Sequence, residues 1–314
     1  MNTKRYTSIA VTGSVAFDEI MDFPGQFVEY FHPEKLHQIN VSFVVNRLEK
    51  QLGGIATNIS YNASLFTKKP VKILSSVGRD GQPFVDFYIS RGIDVTGLLQ
   101  DDELYTSTGK VITDRKDNQI WGFYYGALEK AKKIDWGKHI DKDTLVVVSP
   151  THVDAFLGVQ HHVIKHAIDY IYDPGMAITW IDDKDLREGI EHCTYLIGND
   201  YEIAQITRRL NLSIIDLLKR GITVITTLGE QGVQLAHKDY EMQVKGCAVK
   251  KVVDPTGAGD AWRGGFAAGL LEGMSLKECL MQANAIASFA VEKYGTVNHS
   301  PAKAELEKRM KTIQ

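Results

Sequence analysis

Apolar and polar positions along the chain change their period several times, and each change marks an element. Residues 8–13 form a short apolar run closing on glycine, a strand that runs out into a polar turn at 17–20. Residues 41–45 (Val-Ser-Phe-Val-Val) are apolar and β-branched and predict a second strand, followed after Gly53-Gly54 by a helix through Phe66. Residues 71–77 predict a strand, 78–81 a turn and the stretch to Arg91 a helix. Residues 109–113 and 119–124 pair around the polar turn 114–118, and with 41–45 they predict a small sheet apart from the main one.

Beyond this point strands and helices alternate. The continuous apolar run 144–148 reads as a strand buried on both faces. Helical spacing follows at 159–170, then strands at 177–182 and 195–197, a helix to Leu210, and strands at 222–228 and 232–237. A helix starts near Gly259, and a second, amphipathic one carries Asn284, Ala287 and Ser288 before Gly295, a C-cap glycine. Such alternation implies βαβ units and a parallel sheet covered on both sides. The expected architecture is one α/β domain over residues 1–314, with a doubly wound, mainly parallel sheet and helices on both faces. A small β lid, discontinuous in sequence, is expected from about 15–50 and 105–126.

Composition narrows the class. Hydrophobic residues at 44% supply a sizeable core, and a formal charge of −3 gives no electrostatic case for nucleic acid or membrane partners. The apolar run at 9–11 is too short for a signal peptide, and no segment approaches membrane-spanning length. Cys193, Cys247 and Cys279 are far apart and odd in number, so they read as free thiols in a reducing, cytoplasmic setting. His161, His162 and His166 share one helical stretch without the Glu-x-x-His context of a metal site and read as surface residues.

The chemistry concentrates in 253–269, Val-Asp-Pro-Thr-Gly-Ala-Gly-Asp-Ala-Trp-Arg-Gly-Gly-Phe-Ala-Ala-Gly. Gly257, Ala258 and Gly259 allow a tight turn that gathers backbone N–H groups, and a helix starting there adds its unpaired donors and positive dipole end. Such a site suits phosphate. Beside it, Asp260 can take a proton from an attacking hydroxyl, although an isolated Gly-x-Gly-Asp would read equally as a capped turn. No Gly-x-x-x-x-Gly-Lys-Ser/Thr and no Gly-x-Gly-x-x-Gly after a strand is present, which argues against P-loop and dinucleotide-binding classes.

This stretch resembles the C-terminal signature of the ribokinase-like (PfkB) family of sugar and nucleoside kinases. Its Pro255, Trp262 and Arg263 make it similar to nucleoside kinases of the adenosine kinase type. The resemblance implies an anion hole at Gly257, Ala258 and Gly259, a catalytic base at Asp260 and added positive charge from Arg263. It implies a substrate site holding ribose hydroxyls at Asp18, Gly53, Gly54 and Asn58, where the residues alone allow a turn aspartate and a helix-start asparagine. Phe43, Trp121, Phe123 and Tyr124 are candidates to stack on a nucleobase or to fill the lid. Phe123-Tyr-Tyr-Gly-Ala127 is similar to the family's Phe-x-Pro-Gly-Ala, with Tyr125 in place of Pro.

For ATP the resemblance implies Thr227, Gly229, Gly232, Thr256, Gly257, Gly259, Asn284 and Ala287. Read alone, the glycines at 229 and 232 also suit a hairpin turn. Asn199 and Glu202 match the family's Asn-x-x-Glu and imply a Mg2+ site; read alone they form an N-cap and a capping box. Asp254 and the loop before Tyr294-Gly295 lie where some members bind K+, with Pro255 departing from the ribokinase pattern. The implied activity is ATP-dependent phosphorylation of a ribonucleoside 5′-hydroxyl, adenosine first, in a homodimer paired through the lid. A sugar kinase and a non-catalytic nucleoside-binding protein are the alternatives.

Overall fold

The computed structural model describes residues 5–31, 38 and 40–313; residues 32–37 and 39 of the expected lid segment lie outside them. The chain opens with β1 (Ser8–Thr12), β2 (Ala16–Asp22), β3 (Arg47–Gly53), α1 (Ile55–Ser64), β4 (Val71–Val77), α2 (Gln82–Ser90) and β5 (Leu98–Gln100). It continues through β6 (Ser107–Thr113), β7 (Gln119–Tyr124), α3 (Trp136–His139), β8 (Thr144–Val148), α4 (Val153–Lys165), β9 (Tyr170–Tyr172) and α5 (Asp183–Glu191). Next come β10 (Tyr195–Asn199), α6 (Asp200–Leu210), α7 (Ile214–Lys219), β11 (Thr223–Thr227), β12 (Val233–His237) and β13 (Tyr240–Val244). Three helices, α8 (Ala258–Leu271), α9 (Leu276–Val291) and α10 (Lys303–Met310), end it.

Nine strands form the large sheet in the order β13-β12-β11-β10-β9-β8-β1-β4-β5. Pairing is parallel from β5 through β11, and only β12 and β13 run antiparallel to their neighbours. Strand alternation splits the core in two. In β8, Leu145 and Val147 join Ile9, Val11 and Phe266 on one face, while Val146 and Val148 join Phe156, Leu186 and Leu196 on the other. Four strands in the order β3-β2-β6-β7 make the small sheet, with Asp18 of β2 opposite Gln51 on one side and Gly109 on the other. This is the ribokinase-like architecture expected from the alternation of elements.

β1 holds the position that matters most for ligands. It lies between β4 and β8, so successive crossovers leave it in opposite directions and a crevice opens at the carboxyl ends of β1 and β8. Only 13–15 separate β1 from β2, which puts the small sheet directly over that crevice.

Four expectations need correction. Residues 41–45 form no strand; the lid strand is β3, half polar, and Phe43 packs instead among Phe23 (4.8 Å between ring centroids), Phe27 (5.1 Å), Tyr30 (5.6 Å) and Phe31 (6.2 Å). The expected polar turn at 17–20 is the body of β2, because the lid continues the central strand. The apolar run at 177–182 is a short 3-10 turn over Gly175–Thr179, begun by Gly175 at φ 42°, and the strand position is filled by β9. The helix placed at 159–170 starts earlier, at Val153, and stops at Lys165 before Ala167 adopts φ 49°.

α8 carries Gly or Ala at more than half of its positions, and contact explains one of them. A Cβ at Gly264 would come within 2.5 Å of the Ile59 carbonyl oxygen and 2.9 Å of the Ala63 nitrogen, both backbone atoms of α1. Gly264→Ala therefore gains about 1 kcal/mol of helix propensity and loses about 3 kcal/mol to overpacking against backbone, for a net loss of about 2 kcal/mol. Denaturant unfolding reads this directly, and an unchanged midpoint would show that α1 and α8 are not in rigid contact.

Candidate active site

α8 begins at the glycine turn. Gly257, its N-cap, sits at φ 73° and no side chain caps the helix. A Cβ there would lie 2.6 Å from Thr296 Cγ2, so both conformation and space require glycine. Ala261 N–H bonds back to Gly257 O at 2.8 Å, while among the described residues no backbone carbonyl takes the N–H groups of Gly257, Gly259 and Asp260. Unpaired donors therefore stand at the positive end of a 14-residue helix, an arrangement that favours negative charge.

Asp260 lies in the first turn of α8. Its Oδ2 accepts from Asn58 Nδ2 at 2.8 Å, across 202 residues of sequence, and Asn58 is held in the first turn of α1 by its own N–H to Gly54 O at 3.0 Å. Burial raises the pKa of Asp260; Arg263 and the Asn58 bond pull it back, and Glu202 pushes it up again. Asn58 Oδ1 is buried and has no partner. Opposite, on the lid, burial and then the charge of Asp260 push Asp18 up to about 6.

The two glycines before α1 have separate duties. A Cβ at Gly53 would meet Asp18 Oδ2 at 2.0 Å, so glycine is what lets the carboxylate lie across β3. Gly54 takes φ 90° and packs against Ser14 O, which ties the start of α1 to the end of β1.

Asp18, Gly54, Asn58 and Asp260 share a cavity of about 210 Å³. Its far wall is Phe123, Tyr125, Leu128, Met176 and Trp180, with Pro150 and Thr151 from the carboxyl end of β8. Gly53 backs Asp18 without lining the cavity. Of the aromatic candidates only Phe123 reaches it; Trp121 and Tyr124 are exposed, and Phe43 belongs to the separate ring cluster. Tyr125, where the family pattern has Pro, turns its ring to the cavity edge-on to Phe123 at 5.2 Å.

A second cavity of about 310 Å³ lies on the other side of the glycine turn. Thr227, Gly229, Gly232, Pro255, Ala258, Gly259, Asn284 and Ala287 line it, together with Cys247, Val252, Trp262 and Ser288. Thr256 is exposed outside it. Asn284 reaches the cavity with its amide already engaged: Oδ1 accepts from Trp262 Nε1 at 2.7 Å, and Nδ2 donates to Lys245 O at 2.8 Å and Val244 O at 3.2 Å.

Asn199 and Glu202 form the reciprocal capping box of α6, each bond 2.8 Å long, and line neither cavity. Both oxygens of Asp254 are taken by amides, Thr256 N at 2.9 Å and Gly295 N at 3.0 Å. The expectation for Arg263 also changes. Its guanidinium is buried and turned away from both cavities, with Nε 2.5 Å and Nη2 2.6 Å from the two oxygens of Asp173. Of the histidines, His161 and His166 are exposed and His162 is half-buried.

Sequence reasoning missed Thr151, Met176 and Trp180 in the first cavity and the apolar wall Val252, Cys247 and Trp262 in the second. Thr151 had a signal: it follows a buried strand beside β1, at the edge where α/β sheets bind ligands. Met176 and Trp180 arrive through a turn that reads as a strand, so nothing local marks them.

An α/β fold with two cavities meeting at an uncapped helix N-terminus, and a carboxylate between them, is that of a phosphotransferase acting on a hydroxyl group. The model of the pfkB family carbohydrate kinases matches residues 12–303, and the chain belongs to that family. It is 30% identical over 307 residues to a nucleoside kinase of Methanothermobacter thermautotrophicus, covering 96% of this chain and 94% of the relative. It is also similar to the nucleoside kinase of Burkholderia thailandensis solved with inosine. That structure is 28% identical, with a TM-score of 0.85 over 97% of this chain and 96% of the other. A ribokinase of Lactococcus lactis is 24% identical over 275 residues, 83% of this chain and 86% of the relative.

Proposed function

We propose that the protein is an ATP-dependent kinase that phosphorylates the 5′-hydroxyl of a ribonucleoside, with adenosine as the first acceptor to test and the inosine bound by the Burkholderia relative as the second. One observation carries this reading: Asp260 stands in the first cavity while its helix neighbours Ala258 and Gly259 line the second. A hydroxyl in one and a phosphate chain in the other meet at the glycine turn. The carboxylate accepts the hydroxyl proton, and the unpaired N–H groups of Gly257 and Gly259 stabilise charge on the transferred group, while Ala258 N–H is engaged by Pro255 O at 3.3 Å.

The shape of the first cavity favours a nucleoside over a free sugar. Its polar end, Asp18, Asn58 and Asp260, suits vicinal hydroxyls and the attacking group; its apolar end, Phe123, Tyr125, Met176 and Trp180, is ring-lined and suits a base. A free sugar leaves the apolar end unfilled. ATP takes the second cavity, with the adenine against Ala287 and Val252. Glu202, whose Oε1 has no hydrogen-bond partner among the described residues, is an oxygen donor of the kind Mg2+ takes. When bound, that ion neutralises phosphate charge; the proton transfer and the positioning fall to the protein. Turnover of ATP with a panel of nucleosides and sugars tests the reading. Faster phosphorylation of ribose or fructose than of any nucleoside removes it, and no turnover with any acceptor favours a binding protein.

The proposal includes a dimer through the lid. All six residues of β7 are exposed, among them Trp121 at 57%, and Leu48 of β3 is 64% exposed. A four-stranded sheet with apolar residues in water and an open edge is a candidate for two-fold pairing. Sedimentation at micromolar concentration is expected to give a dimer without ligand, and a monomer at every concentration removes the pairing. The free thiols, two of them buried, suit the reducing cytoplasm. Among the described residues no helix is long and apolar enough to cross a membrane.

A further inference from the structure

Arg263 sits one turn into α8, buried, and opens onto neither cavity. Asp173 holds it: Nη2 donates to Oδ1 at 2.6 Å, and Nε lies 2.5 Å from Oδ2 in an ion-pair contact that lacks hydrogen-bond alignment. Asp173 itself is anchored. It follows directly on β9, and its N–H donates to Val148 O at 3.0 Å, so the carboxylate is mounted on the large sheet. Burial pushes the Asp173 carboxyl up, and the Arg263 guanidinium beside it pulls it back.

On its other side the guanidinium lies against the glycine turn. A Cβ at Gly259 would come within 2.8 Å of Arg263 Nη1. The helix start has no side-chain cap, so what packs beneath it decides where it stands. A further carboxylate, Glu202, lies 3.8 Å from Nη2.

We propose that Asp173 and Arg263 are a pair of positioning residues: the sheet-anchored ion pair sets where Gly259 and Asp260 stand between the two cavities, and neither residue touches a reactant. Stability alone is a poor reason for such a pair, since well-packed apolar side chains of similar volume often serve a buried site as well or better. What an apolar pair does not supply is direction. For Arg263 to grip a phosphate it would have to leave Asp173 as an uncompensated buried charge, which is strongly unfavourable.

The test uses the full chain and rests on the kinase reading only for its assay. Parent turnover on the acceptor panel tests that reading; the ratio of variant to parent on the best acceptor tests the pair. Asp173→Leu combined with Arg263→Met keeps volume and removes both charges. It is expected to melt near the parent and to bind ADP within about 3-fold, while kcat falls roughly 10–100-fold with the acceptor KM little changed, as for a reacting group displaced by a fraction of an ångström. A kcat within about 3-fold of the parent in this folded variant overturns the proposal. So does a loss that appears chiefly in the KM for ATP, which would put Arg263 on the phosphates. If that double variant does not fold, Arg263→Lys decides, since it keeps the charge and loses the fork. A kcat lowered about 10-fold or more at unchanged KM for ATP supports positioning, and parent-like turnover overturns it.

Discussion

Asp260→Asn is expected to lower turnover on the order of 10²–10⁴-fold while leaving the fold and ADP binding in place. The reason for so clean a variant is local. The Asn58 amide that donates to Asp260 Oδ2 at 2.8 Å finds an equivalent carbonyl oxygen in the new side chain, so α1 and α8 stay joined. What disappears is the capacity to accept a proton. Burial raises the pKa of this carboxylate, which strengthens it as a base at neutral pH. Single-turnover kinetics separates the chemical step from product release, and activity within a few-fold of the parent would remove Asp260 from the mechanism.

A 2′,3′-dideoxynucleoside is expected to be the second large loss. If Asp18 and Asn58 hold the ribose hydroxyls, each missing bond strands a buried polar group at roughly 1–3 kcal/mol, or about 30-fold to 10⁴-fold in kcat/KM for both together. Asn58 Oδ1, buried and unpartnered, is already waiting for a donor. The same contact has a pH signature. Asp18 stands at about 6, above the ordinary carboxylate value, so it is ionised and accepting at neutral pH and protonates as pH falls through 6. The acceptor KM then rises toward acid, by up to about tenfold per pH unit at the limit, and Asp18→Asn flattens that limb. Because Asp18 and Asp260 face one cavity, the limb belongs to the pair. Equal efficiency for ribo and dideoxy acceptors would refute the assignment.

How much of this was legible depended on burial. Strands covered on both faces, such as β8, read as unbroken apolar runs, and the helices between them kept a 3.6-residue period, so the ribokinase-like sheet was readable. The lid was not, because β3 carries Arg47, Glu49, Lys50 and Gln51 in water while the more apolar 41–45 belongs to an irregular segment feeding a ring cluster. The glycine turn and the place of Asp260 in the first turn of α8 were readable because the signals for a helix start are local. Arg263 was found but its direction was not, since its partner Asp173 lies 90 residues away and is brought there only by the order of strands. Asn199 and Glu202 show the opposite case: the local capping box read from the sequence is the arrangement the structure contains.

The mounting of the small sheet has a consequence for idle ATP hydrolysis. β2 leaves the end of β1 after three residues, with Gly13 and Ser14 in the connection and Ser14 N–H tied to Pro150 O at 2.9 Å. Asp18 therefore belongs to the small sheet, while Asn58 and Asp260 stand on α1 and α8. If the proposed acceptor lies in the first cavity, its sugar spans both sides; a water molecule is too small to do so. Under the proposed reading, water alone at the glycine turn offers no hydroxyls for Asp18 to hold, so hydrolysis of ATP without an acceptor is expected to be slow.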